Sequence, residues 1–251
     1  MSSLGKGVVA SSISLLLKKH GFKVVPVKCE NYLNVDSGTI NPIEHGDPFL
    51  CEDGLEADMD LGNYERFLDE KMGQMNFVTM GQIYKRVIDR ERSMGYGGED
   101  VEAIPHVCNE IIRRIEEAGK NGDADFVVVE LGGTAGEYQN VLYYEASRRM
   151  HLKGRPVLHV HVSYVPIPPH IGEPKTKPTQ LSIKHLMSMG IQPDIIIARS
   201  EGEMDDRRKY LLGITCNVDP KNVFSNPNVD TVYAVPLLLH RQNLDKSILE
   251  K

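Results

Sequence analysis

The run DFVVVEL at residues 125–131 sets three consecutive valines in an apolar stretch interrupted by a single acid, and it constrains the fold more than any other segment. β-Branched side chains suit a pleated surface, and a continuous apolar run, as opposed to an alternating one, is expected of a strand covered on both faces. Such strands belong to parallel sheets flanked by helices. The remaining chain repeats the pattern: residues 22–28 (FKVVPVK), 156–165 (PVLHVHVSYV) and 194–199 (DIIIAR) read as further strands. Residues 8–19, 80–92, 105–119, 138–150, 179–189, 205–213 and 229–242 read as helices between them. In the segment from Pro105, residues Val107, Ile111, Ile112, Ile115 and Ala118 form one stripe, which marks its core face. The expectation is a single three-layer α/β domain with a mostly parallel sheet, in which residues 125–131 form the clearest buried strand.

The chain has 251 residues, 41% hydrophobic and 25% charged, which is enough for a large core without disulfides or metals to staple it. No apolar run approaches the roughly 18 residues of a membrane span, and the N-terminus lacks the pattern of a secretory signal, so no membrane is expected and the cytoplasm is the expected location. Cys29, Cys51, Cys108 and Cys216 have no C-x-x-C spacing and read as packing residues. A net charge of −6 disfavours nucleic-acid binding, so a polyanionic ligand would need lysines concentrated locally.

One such place is the start of the chain, where Ser2, Ser3, Leu4, Gly5, Lys6 and Gly7 run into the first helical stretch. A phosphate loop works because backbone amides and a helix N-terminus converge on an anion while a lysine adds a mobile charge. Lys6 stands where that lysine belongs, but Gly7 replaces the hydroxyl residue of the full motif. On these residues alone, phosphate binding and an ordinary flexible turn both remain open. A second place is residues 172–180, where Lys175, Thr176, Lys177, Pro178, Thr179 and Gln180 offer cations, hydroxyls and a helix start with Pro178 in its first turn. A basic surface turn stiffened by prolines fits them equally well.

Acidic candidates are Asp58, Asp60 and Glu130. Ligands of parallel sheets gather at the carboxyl ends of strands, where Glu130 falls, and magnesium prefers one or two carboxylates plus phosphate oxygens. Asp58 and Asp60 also fit as solvated residues before a helix at Leu61. His159 and His161 share a strand face among apolar neighbours and read as packed histidines, whereas His45 lies in a loop and is a functional candidate. No G-x-S-x-G or Gly-x-Cys-x-Gly elbow is present, so covalent hydrolysis has no support. The long irregular stretches 34–59 and 93–101 read as functional loops.

Taken together, residues 2–7 (SSLGKG), Asn34 to Asp36 with Gly38 and Thr39, residues 52–54 (EDG), Asp58 to Gly62 with residues 64–67 (YERF), residues 104–106 (IPH), residues 130–134 (ELGGT) and residues 175–180 (KTKPTQ) closely resemble the amidoligase (synthetase) domain of the CTP synthase family, in the right order over nearly the whole chain. The resemblance implies a P-loop NTPase-like fold akin to dethiobiotin synthetase, with residues 1–251 as one amidoligase domain. It also implies ATP-dependent phosphorylation of UTP at O4, followed by displacement with ammonia to give CTP. By the same resemblance, Ser3, Leu4, Gly5, Lys6, Gly7 and Val8 hold ATP with Asp60 and Val229, Lys6 and Lys28 are catalytic, and Asp60 and Glu130 bind Mg2+. Ser2, Glu137, Tyr138, Gln139, Lys175 to Gln180 and Lys209 would hold UTP or CTP. A homotetramer sharing its UTP sites is implied as well.

The chain departs from the family in several places. Family members carry a glycine-containing strand before the position of Ser2 and continue into a glutaminase domain; here neither is present, so a separate glutaminase or a full-length synthase is an expected partner. Glu30-Asn31 stands for the usual Asp-Pro, Glu137-Tyr138-Gln139 for Asp-Ile-Glu, and the loop at residues 94–100 is altered. A rival reading is a catalytically silent, nucleotide-binding fragment that assembles with itself or with a full-length synthase. Loss of a central strand would leave two unpaired sheet edges. A nucleotide-switch ATPase would explain Lys6 but not residues 175–180.

Overall fold

A computed structural model describes residues 4–170 and 172–251 of the chain; Ser2 and Ser3 lie outside the described residues, as does the side chain of His45. The elements in order are α1 (Lys6–Lys19), β1 (Val24–Glu30), α2 (Pro42–His45), β2 (Phe49–Leu50), β3 (Glu56–Ala57), α3 (Asp60–Leu68), β4 (Phe77–Thr79), α4 (Met80–Arg92), α5 (Cys108–Asn121) and β5 (Phe126–Leu131). They continue through α6 (Val141–Leu152), β6 (Val160–Tyr164), α7 (Lys177–Ser188), β7 (Ile195–Arg199), α8 (Asp206–Thr215), β8 (Val223–Asn226), α9 (Val235–Arg241) and α10 (Leu244–Leu249).

The expected α/β class holds. Strands pair in parallel in two groups, β4-β1-β5 and β6-β7-β8, and β2 and β3 form a small antiparallel hairpin. On one face α1 spans both groups, because Val9, Ile13, Leu16 and Leu17 share a core with Val24, Phe126 and Val128 of the first and Ile195, Ile197 and Phe224 of the second. On the other face Val27, Cys29 and Val78 pack against Ile83 and Val87 of α4, Ile111 and Ile115 of α5 and Tyr143 of α6. Ile196, Ala198 and Val223 meet Ile183 of α7 and Leu212 of α8. That makes three layers. Each fully buried side chain such as Leu17 or Ile196 contributes about 1.5–3 kcal/mol of transfer free energy.

The structure corrects the expectation for residues 125–131. β5 is an edge strand, its valines are only half-buried, and Val129 is 36% exposed. A valine run reports that both faces meet helices; it carries no information about lateral hydrogen-bonding partners. β6 is an edge of the second group and is also half-buried. Each three-stranded group has two edges among the described residues, β4 and β5 in one and β6 and β8 in the other. The expected helix at 229–242 is shorter: a 3-10 turn at Val232–Ala234 leads into α9, which has Pro236 in its first turn and ends at Arg241, and a left-handed Asn243 then leads into α10, beyond the expected span. β4 and β8 span three and four residues, too short for periodicity to reveal. All four cysteines are buried and free, as packing residues should be. No helix among the described residues is long and apolar enough to cross a membrane.

Candidate functional site

β1 alternates its side chains, so Val27 and Cys29 enter the α4/α5/α6 core while Lys28 and Glu30 fall on the opposite face. In the parallel register Lys28 pairs with Glu130 of β5, which puts an ammonium beside a carboxylate. α3 supplies a third group, since Asp60 is its first residue. Lys28 Nζ lies 2.8 Å from Glu130 Oε1 and 3.3 Å from Glu30 Oε1, and it forms a close ion pair with Asp60 Oδ2. One turn along α3, the hydroxyl of the buried Tyr64 donates to Glu130 Oε2. Nothing local to the sequence ties Tyr64 to Glu130.

Burial sets the electrostatics. It opposes the charge on Lys28, but Glu130, Asp60 and Glu30 outweigh it and hold that ammonium well above its usual range. Burial pushes the Glu130 carboxyl up and raises Glu30 to about 7, where Asp58 adds to the effect and Lys28 opposes it. At Asp60 the burial penalty is overcome by Lys28, and the carboxyl stays below the usual range. Lys6 is lowered by burial and by the Lys28 charge.

Gly5 caps α1 with a left-handed backbone (φ 80°) and no side chain, which leaves the first-turn amides free of a side-chain cap. Lys6 reaches back to Gly133 O at 2.5 Å. A Cβ at Gly7 would run into the Asp60 carboxylate, so the missing side chain is what lets this acid lie against the first turn of α1. Lys6, Lys28, Asp60 and Glu130 thus converge at the N-terminus of α1. Asp60 and Glu130 present hard oxygens around a single cationic position and so fit a magnesium ion. No group of three or more His, Cys, Asp or Glu side chains among the described residues could hold a metal, so such an ion would depend on phosphate oxygens and water for the rest of its shell.

Other expected residues are placed less uniformly. Val8 and Val229 share one apolar cluster beside α1. Glu137 turns into its own loop: it accepts from the amide and hydroxyl of Thr134 and from Asn31 Nδ2 at 2.9 Å, while Tyr138 and Gln139 are exposed. At the start of α7, Lys175 is half-buried, Lys177 and Pro178 are exposed, and Gln180 Nε2 donates to Thr176 Oγ1 at 3.1 Å. Thr179 is fully buried, and its hydroxyl meets Tyr164 O and Ser163 Oγ, so it ties α7 to β6. Lys209 approaches Gln242 and Asp206, and its neighbour Arg208, which the sequence did not single out, is the one that reaches Glu173 in the lysine loop. His159 and His161 bond to Ser147 and Ser182, as packed histidines do.

The family profile described as CTP synthase N-terminus matches residues 1–251. This chain belongs to the CTP synthase family. The chain is 45% identical over 253 aligned residues to a CTP synthase of Clostridium perfringens and 46% identical over 253 to one of Methanopyrus kandleri, with 100% of this chain and 47% of the relative covered each time. A CTP synthase of Bacteroides thetaiotaomicron is 45% identical over 251 residues, again with 47% of its length covered. The chain therefore spans about half the length of the curated relatives it matches. The match to the CTP synthase N-terminus agrees with the P-loop-like layering of α1 over parallel strands.

Proposed function

We propose that this chain carries out the ATP-dependent amination of UTP to CTP, with ammonia supplied free or by a separate glutaminase. Convergence of Lys6, Lys28, Asp60 and Glu130 at the N-terminus of α1 carries the reading, and the CTP synthase relatives support it. The uracil O4 is a poor leaving group. Transfer of the γ-phosphoryl group of ATP to O4 releases ADP; ammonia then bonds to C4, the C4–O bond breaks, and phosphate and a proton leave.

In this reading the uncapped amides of α1, with Ser3 to Val8, hold the ATP phosphates, and Lys6 exchanges Gly133 O for the transferring group. Val8 and Val229 supply an apolar wall for the adenine. Ser2, Glu137 to Gln139, Lys175 to Pro178, Gln180 and Lys209 hold UTP, with the cations of the α7 start on its triphosphate, while Thr179 anchors that start to β6. Asp60 and Glu130 would hold Mg2+, which when bound neutralises charge on the phosphoryl group. A cytoplasmic homotetramer with shared UTP sites belongs to the same proposal. The test is CTP formation, followed by chromatography, with saturating UTP, ATP, Mg2+ and ammonium. CTP is expected with ammonium; no CTP from folded protein overturns the reading.

The unpaired edges of β5 and β6 favour a second reading, a nucleotide-binding but silent chain that assembles with itself or a full-length synthase. ATP and UTP binding with nucleotide-dependent association and no turnover is its signature.

A further inference from the structure

The buried ammonium of Lys28 has three N–H donors, and three carboxylates from three different elements surround it: Glu30 of its own strand, Asp60 of α3 and Glu130 of β5. The Lys28 and Glu130 side chains are each 4% exposed, and Asp60, at 25%, forms the side of the position that reaches solvent. Tyr64 fixes Glu130 by occupying Oε2, which leaves Oε1 as the oxygen turned toward Lys28. A divalent cation bound to Asp60 and Glu130 would need the same oxygens at about 2.0–2.1 Å, so it and the ammonium exclude each other by both space and charge.

We propose that Lys28 is a placeholder cation: without nucleotide its ammonium occupies the divalent-cation position between Asp60 and Glu130, and it leaves when a polyphosphate offers it a new partner. This inference rests on the reading of the site as one for ATP and a divalent cation. Charge stays balanced in the exchange. The carboxylates trade a single positive charge for a double one, and Lys28 follows the phosphate to the N-terminus of α1, where Lys6 already stands. The lysine stem can make that move because it carries a point charge on four flexible carbons. Cation loading is thereby coupled to nucleotide arrival, and the free protein does not gather divalent ions at this position.

Mn2+ alone is the probe, with free Mn2+ followed by electron paramagnetic resonance in nucleotide-free full chain. Wild type is expected to show no tight Asp60-dependent binding, whereas Lys28→Gln binds Mn2+ at least roughly tenfold more tightly, and adding Asp60→Asn removes the gain. Should Lys28→Gln fail to fold, Lys28→Gln with Glu30→Gln deletes one carboxylate along with the ammonium and takes its place, circular dichroism reporting the fold. Tight, Asp60-dependent Mn2+ binding by nucleotide-free wild type overturns the proposal whatever the variants do, and so does unchanged or weaker Mn2+ affinity in a folded Lys28 variant. CTP formation is read separately, so failure of the amination reading leaves a different trace from failure of the placeholder.

Discussion

Lys28 and Glu130 stand opposite each other in the parallel register of β1 and β5, with Nζ 2.8 Å from Oε1 and both side chains buried. A buried ion pair is expensive to desolvate, and breaking it by removing one partner leaves a charge with no compensation. Here the loss of one ammonium would strand three carboxylates. Lys28→Ala is therefore expected to destabilise the fold by about 3–5 kcal/mol, measured by urea unfolding at neutral pH. An unchanged midpoint would show that water enters the cluster.

Gly7 and Asp60 make a second testable contact. Gly7→Ala would push the Asp60 carboxylate off the first turn of α1 and away from Lys28. ATP-dependent CTP formation is expected to fall about 10- to 100-fold, the usual cost of disturbing a group that orients a cation ligand. The far-UV spectrum should stay unchanged, because α1 is otherwise intact.

Thr179 separates structural from ligand roles in the lysine loop. Its hydroxyl is buried against Ser163 and Tyr164, so Thr179→Val should lower stability by about 1 kcal/mol and leave the KM for UTP unchanged. Lys177→Ala, at an exposed helix start, should raise that KM with little effect on stability. Steady-state kinetics and thermal melts on the two variants distinguish these roles, and a raised KM in Thr179→Val would restore it to the triphosphate site.

Asp245 lies fully buried between His20 and His240, whose ring nitrogens reach its Oδ2 at 2.7 and 3.0 Å, and it joins the end of α1 to α9 and α10. Burial alone would raise this carboxyl, but the bonds from the two histidines outweigh it and hold it below its usual range. A depressed folded value means that the stabilisation is fully present above the ordinary carboxylate range and disappears as pH falls through the depressed value. Asp245→Asn is expected to cost about 1–3 kcal/mol in urea unfolding at pH 7 and to flatten the acid limb of the stability profile. A wild-type acid limb in this variant would place the titration elsewhere.

Local pattern made much of the fold legible. Helical periodicity located α4 at Met80–Arg92 to the residue, and Pro178 fell in the first turn of α7 as its fixed backbone angle requires. The same signals gave no account of the two short strands β4 and β8. The chemistry-bearing residue types were equally legible: Lys6 before a helix, acids at strand and helix ends, lysines beside a proline. Roles such as that of Thr179 were not, because a hydroxyl in a lysine-rich loop looks the same whether it faces a ligand or a strand.

Sequence alone determined the alternation of apolar runs and amphipathic stretches, and hence the α/β class, since periodicity and turn chemistry act between near neighbours. Strand order and register belong to the tertiary structure. They put β5 on an edge in spite of its valines, brought Lys28 to Glu130 across 102 residues of chain and set Tyr64 against the same carboxylate across 66. Such contacts follow from which strands pair and which helix lies over them, and that choice is made by long-range packing that no short window of sequence encodes.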